Sequence, residues 1–266
     1  MARRRRGRRG RGVGPVVLGL SLAIVALAAF GAIGWVVFRE SARPGLDVAS
    51  LCPEDGPAGH LAVLLDTTDP VSTTQLQAAR ARIDAMIAEA PDFTRVSFAT
   101  VSPDAGLRAD SIRSLCKPPA DVSALTGNPR LVAARYRDEF LAPVEGHLDG
   151  LLAIPEAGAS PIMEALAEFL TAIPGFATDE IPHRVVLVTD LVQHSDAFSF
   201  YRGGDWQSFE AAGGTARLGR ALDGAEVDVL RLPRVAAPRE VVDDFWVRYF
   251  DAQGVARVRT ATLGDL

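Results

Sequence analysis

The stretch "LAVLLDTTDPV", residues 61–71, decides how the rest of the chain is read. Five apolar residues in a row have the length and composition of a strand buried on both faces. The run then ends in two carboxylates with two hydroxyls between them: Asp66, Thr67, Thr68 and Asp69. Such an ending is either a well-capped turn or a strand tip that carries a binding site.

Working outward, "STTQLQAARARIDAMIAEAP", residues 72–91, places Leu76, Ala79, Ile83, Met86/Ile87 and Ala90 at helical spacing. Ser72 and Gln75 have the spacing of a capping box, and Pro91 stops the helix. "RVSFATVS", residues 95–102, is a second strand, which completes a β-α-β unit. Residues 103–127 read as irregular. Asn128 and Pro129 then open a helix as N-cap and first-turn proline, with a resumption after Pro143.

In "SPIMEALAEFLTAIP", residues 160–174, Ser160 is expected to cap a helix whose apolar stripe is Ile162, Leu166, Phe169, Leu170 and Ile173. "HRVVLVTDLV", residues 183–192, is another buried strand and ends, like the first, in hydroxyl and carboxylate: Thr189 and Asp190. After a polar, aromatic loop come a strand at 225–233, a helix at 237–254 burying Val242, Phe245, Trp246, Tyr249 and Phe250, and a last strand at 255–263. Strands alternating with helices predict an α/β fold: a doubly wound, mostly parallel central sheet with helices on both faces.

The N-terminal part has a different character. Residues 1–12 carry seven arginines and no acid, and residues 13–38 carry no charge at all. Those 26 residues are enough to cross a ~30 Å hydrocarbon layer as one helix. The arginines place the N-terminus in the cytoplasm and the C-terminal body outside it. A cleavable signal peptide has a shorter apolar region, ~7–15 residues, so an uncleaved anchor is the expectation. Residues 39–58 read as a polar linker and 59–266 as the folded body.

The first forty residues hold eight arginines and one acid, which leaves 20 basic and 32 acidic residues beyond them, a net of −12. An acidic body is unsuited to nucleic acid or anionic lipid. A single lysine, Lys117, against 27 arginines, together with a one-helix anchor, points to a bacterial inner-membrane protein facing the periplasm. There, the two cysteines, Cys52 and Cys116, invite a disulfide; two independent small residues are the alternative.

By topology Asp66, Thr68, Ser160 and Asp190 gather at the carboxyl ends of neighbouring strands, where such sheets bind ligands. Carboxylates and hydroxyls make a hard oxygen site suited to Mg²⁺, Mn²⁺ or Ca²⁺. Here the chain resembles the von Willebrand factor type A (vWA) family over residues 60–263. That family's adhesion site uses Asp-x-Ser-x-Ser after the first strand, a loop threonine and a later aspartate. The resemblance sets Asp66 and Thr68 in "DTTDP", Ser160 in "GASPIMEAL" and Asp190 in "VLVTD" on those positions, with Pro70 where the second serine would stand. More narrowly, "DTTDP", "SLCKPP", "SPIMEAL" and "VTDLVQHSDAFSFY" resemble membrane-anchored bacterial members of the superfamily, a likeness that brings no activity with it.

Each residue also has a plainer role open to it. Asp66 and Asp69 could cap the next helix, Asp190 could serve a turn, and His194 could be a surface residue. Tyr201, Trp206 and Phe209 could anchor a protein partner, as could Asp69 at the tip, or pack the loop. Three functions follow: an interaction module for an envelope protein, a phosphohydrolase of haloacid-dehalogenase-like layout using Asp66 and Asp243/Asp244, or a structural subunit with a degenerate site. The phosphohydrolase layout wants Asp-x-Asp, and residue 68 is threonine.

Overall fold

The computed structural model describes residues 14–41, 45–103, 106–107, 112–120, 128–152, 158–178, 180–219, 222–234 and 238–264. The arginine arm, 1–12, lies outside them. The first helix, α1 (Gly14–Ser41), contains the stretch Leu18–Val36, long and apolar enough to cross a membrane and with none of its surface buried in the protein.

The body is built on a sheet of seven strands: β1 (Gly59–Leu65), β2 (Thr94–Ser102), β3 (Gly106–Leu107), β4 (Arg113–Cys116), β5 (His183–Thr189), β6 (Glu226–Arg231) and β7 (Arg257–Thr262). Their order is β3-β2-β1-β5-β6-β7, with β4 also paired to β2. The pairs β1–β2, β1–β5, β5–β6 and β6–β7 are parallel, while β3 and β4 run antiparallel to β2. The chain therefore winds outward from β1 in one direction and from β5 in the other. The crevice between those two strands is the topological switch point, where α/β sheets bind ligands.

Alternation along the strands divides the core into two layers. Ala62, Leu64, Val185, Leu187, Val227 and Val229 pack beneath α5 (Ile162–Ala172) and α8 (Arg239–Asp251). Leu61, Val63, Leu65, Val186 and Val188 face the other way, onto Ala79, Ile83 and Ile87 of α2 (Thr73–Glu89) and onto Phe140, Val144 and Leu148. All seven residues of β1 are buried, which is why its sequence shows an apolar run rather than alternation. The Ser72–Gln75 capping box is formed, and α8 buries the five residues expected of it.

Several local expectations are corrected. Residues 103–127 are not wholly irregular, because Arg113–Cys116 forms an edge strand too short to announce itself by period. The helix from Pro129 does not break at Pro143. It runs as α3 (Pro129–Arg135), a wide π-type turn (Tyr136–Leu141) and α4 (Ala142–Leu152). The wide turn takes up the space and the lost donor that a proline brings to a helix interior. Residues 193–214 include a 3₁₀ turn at Phe200–Arg202, α6 (Trp206–Ala211) and the start of α7 (Gly214–Leu218). α6 and α7 pack so closely that a Cβ on Gly214 would meet the Phe209 ring at 2.4 Å.

The linker is fastened to the body along its second half. Cys52 and Cys116 form a disulfide with their Cα atoms 4.7 Å apart. The Cys116 amide donates to Ser50 O at 2.7 Å, and Leu51 joins the core layer of α2.

Candidate functional site

β1 and β5 end alike, and the likeness is local chemistry. In each, an aspartate one residue past the strand accepts from the amide two residues on: Thr68 N to Asp66 Oδ1 at 3.2 Å, and Val192 N to Asp190 Oδ1 at 2.7 Å. These are Asx-turns, the default use of aspartate after a strand. Asp66 then does more. Its Oδ1 also accepts from Thr68 Oγ1 at 2.6 Å, and its Oδ2 accepts from Ser160 Oγ and Thr189 Oγ1, both at 2.9 Å. Four donors from three segments of chain converge on one buried carboxylate, and its acceptor sites are filled by neutral groups.

Thr189 is the bracket between the two strand ends. While donating to Asp66, its hydroxyl accepts from Leu191 N at 2.9 Å. Leu191 stands at φ 68°, left-handed backbone that a branched, buried residue rarely adopts. The Thr189 hydroxyl holds one side of that peptide, and Trp246 Nε1 holds the other by donating to Leu191 O at 2.8 Å. Left-handed backbone at a buried leucine costs energy, and these two bonds hold it in place.

Asp190 is provisioned less well. Only 4% exposed, it has an Oδ2 with no hydrogen-bond partner. Burial first, and then the Asp66 carboxylate nearby, push its carboxyl up to about 7, against the pull of the Val192 amide. The cation beside it among the described residues is Arg234, whose Nε lies 4.0 Å from Asp190 Oδ2 and whose Nη2 donates to the Pro70 carbonyl.

Ser160 is placed at the site but is not the helix cap that its position suggests. Pro161 precedes the helix, and the Gln193 side chain supplies the cap by accepting from Met163 N at 2.9 Å. The Ser160 hydroxyl is thereby left for Asp66. Its backbone pairs with His194 in both directions, at 2.9 and 2.8 Å, which ties the loop before α5 to the loop after β5. Asp66 and Asp69 do not cap α2; Ser72 does.

A cleft of about 230 Å³ opens beside this cluster, lined by Thr68, Asp69, Ser160, Val192, His194 and Tyr201, with Gly158 and Ala159. His194 Nδ1 is 2.8 Å from Ser199 Oγ, and its ring meets that of Tyr201 edge-on at 5.1 Å. Of Tyr201, Trp206 and Phe209, Tyr201 alone is exposed, at 52%. Burial and the Asp69 and Asp190 charges raise its phenol above the ordinary value. Phe209 is core, and Trp206 is half-buried against Phe209 and Phe245, with centroids 5.7 and 5.6 Å apart. Sequence reasoning could not separate these three, since all lie within nine residues of one loop.

The oxygen set fits a hard divalent cation in kind. The Thr68 and Ser160 hydroxyls give their protons to Asp66, which leaves oxygen lone pairs, and Asp190 Oδ2 is bare. Pro70 adds no side-chain oxygen. Among the described residues no three His, Cys, Asp or Glu side chains cluster as a metal-binding group. A cation here would rest on hydroxyls and few charges, with water or partner oxygens completing its shell.

The fold is that of an α/β protein with a doubly wound, mostly parallel sheet and its polar cluster at the switch point. Among solved structures, the chain is similar to the SpRpn10 VWA domain at 10% identity and a TM-score of 0.39, over 79% of this chain and 90% of that one. No family model matches the chain, and no curated protein does.

Proposed function

We propose that the chain is a membrane-anchored, vWA-like interaction module of the bacterial inner membrane. Its body faces the periplasm and docks a partner protein at the strand tips, using Mg²⁺, or Mn²⁺ or Ca²⁺, held by Thr68, Ser160 and Asp190. Asp66 orients the two hydroxyls. Tyr201 and Asp69 stand at the rim of the cleft as contacts for the partner.

The observation that carries this reading is the buried Asp190 Oδ2, left without a hydrogen bond beside a carboxylate wrapped in hydroxyls. Buried polar atoms are satisfied almost everywhere in folded proteins, and exceptions mark places that something else completes. A bound cation would offset the carboxylate charge at the tip and offer a free coordination position to a partner's carboxylate.

A non-catalytic role is supported by how the acids are used. Asp66, the nucleophile of the phosphohydrolase reading, has both oxygens engaged. Asp243 pairs with Arg231 and Arg239, and Asp244 with Arg248, on the surface of α8. The acidic body argues for a protein partner over nucleic acid.

The test places a photo-crosslinking amino acid at Tyr201 in the full chain in its membrane, with Val247 on the outer face of α8 as control. Discrete adducts from position 201, absent from 247 and reduced by Asp66→Asn and by chelator, are expected. Adducts equal at both positions, or unmoved by Asp66→Asn, would return the chain to the role of a structural subunit.

A further inference from the structure

Arg234 is a charged residue at the strand tips that sequence reading passes over, and its position is unusual. The Leu232 amide continues the β5–β6 pairing by donating to Thr189 O at 2.9 Å. Two residues later the Arg234 side chain reaches across the switch point. Its Nη2 takes the carbonyl of Pro70, a residue with nothing else to offer at that turn. Its Nε is buried and has no hydrogen-bond partner, and it faces Asp190 Oδ2, which has none either, across 4.0 Å. That separation is beyond a hydrogen bond, yet close enough for strong attraction between opposite charges away from water.

Two opposite charges, each with one buried atom left without a hydrogen bond, describe a pair that is kept together but not locked. Elsewhere in the same sheet the chain does lock such a pair: Arg184 Nε donates to Asp228 Oδ2 at 2.6 Å. At the tip, the Asp66 and Asp69 carboxylates and the Arg234 guanidinium all act on Asp190, so the cluster stays net negative with Arg234 in place. A dication on Asp190 Oδ2 would neutralise it better, and would meet the like charge of the guanidinium 4.0 Å from that oxygen.

We infer that Arg234 is a tethered cation that takes the place of a divalent ion at the strand tips and competes with it for Asp190, so that ion binding requires Arg234 to swing off the Pro70 carbonyl. The inference rests on the reading of the tip as a cation-assisted docking site. In this arrangement the resting protein needs no metal to keep Asp190 buried, and occupancy is set by a partner or ion strong enough to displace the arginine. A partner that offers a carboxylate to Arg234 would favour the displaced state from the other side.

Mn²⁺ binding to the full chain in detergent micelles, followed by the paramagnetic resonance of free Mn²⁺, tests this with four proteins: wild type, Arg234→Gln, Arg234→Lys and Arg234→Gln/Asp190→Asn. Far-UV circular dichroism confirms that each is folded. Arg234→Gln is expected to bind Mn²⁺ at least about tenfold tighter than wild type, because a like charge has been removed from beside the ion. Arg234→Lys should stay close to wild type, and the double variant should lose the gain. Equal affinity in wild type and Arg234→Gln, or a Lys variant as tight as Gln, overturns the competition while the metal reading stands. No binding by any of the four overturns the metal reading and the inference with it.

Discussion

The two ends of the sheet bury carboxylates in opposite ways. In the first half of β6, Asp228 accepts from Arg184 Nε at 2.6 Å and lies 3.5 Å from Arg259 Nη1. The disulfide fastens the linker at the same end, beside the start of β2. At the carboxyl ends, Asp66 is held by neutral donors alone, and Asp190 keeps one oxygen bare with its arginine stopped at 4.0 Å. Charge matched by charge at one end serves the fold. Charge left short at the other costs stability and is where the proposed docking site would take its ligand.

The contrast breaks most visibly with pH. The Asp190 carboxyl is raised from 3.8 to about 7 in the folded state, so between those values the folded protein holds a proton that the unfolded chain has released. The contribution of Asp190 to stability therefore falls, by up to about 4 kcal/mol, as pH rises from about 4 through 7, and is level above that. Asp190→Asn should remove that slope: unfolding by denaturant at pH 8 should show it more stable than wild type, and at pH 4 nearly equal.

Reducing the Cys52–Cys116 bridge, which closes a loop across a sequence separation of 64, should cost about 4 kcal/mol on the chain-entropy account. Cation binding at the tip should be unchanged, since the bridge lies at the opposite end. Asp228→Ala should cost about 2 kcal/mol, below the value for a fully buried pair because Arg184 and Arg259 can both reach water. Thermal unfolding of the full chain would record it. The smallest effect is expected from Thr68→Val: about 1 kcal/mol of stability for one hydrogen bond lost from Asp66, with weakened Mn²⁺ binding as the sharper readout.

Much of this was legible because the signals were short-range. Ser72 and Gln75 are three residues apart, and their capping box forms as their spacing requires. The apolar stripes of α5 and α8 lie within single helices, and both face the core. Asp66, Thr68, Ser160 and Asp190 were placed at one edge by strand order alone, and the structure brings Thr68 and Ser160 onto Asp66 itself. The roles within that cluster were not legible. Ser160 has the sequence of a helix cap, but Gln193 arrives from 30 residues away to take that role. The Arg234–Pro70 contact spans 164 residues, and nothing near either one announces it. Tyr201 and Trp206 share a loop and a chemistry, and only packing on Phe245 separates them.

Sequence alone therefore determined the α/β class, the order of the parallel strands and the long helices, the apolar N-terminal helix and the types of oxygen at the strand tips. These depend on periodicity, caps and composition, which act over a turn or a strand. Tertiary structure alone decided which hydroxyls serve Asp66, that Asp190 keeps an unsatisfied oxygen, and that an arginine from beyond β6 stands in front of it. Those are questions of which long-range donors reach a buried carboxylate first, and they are settled only when the sheet has closed around it.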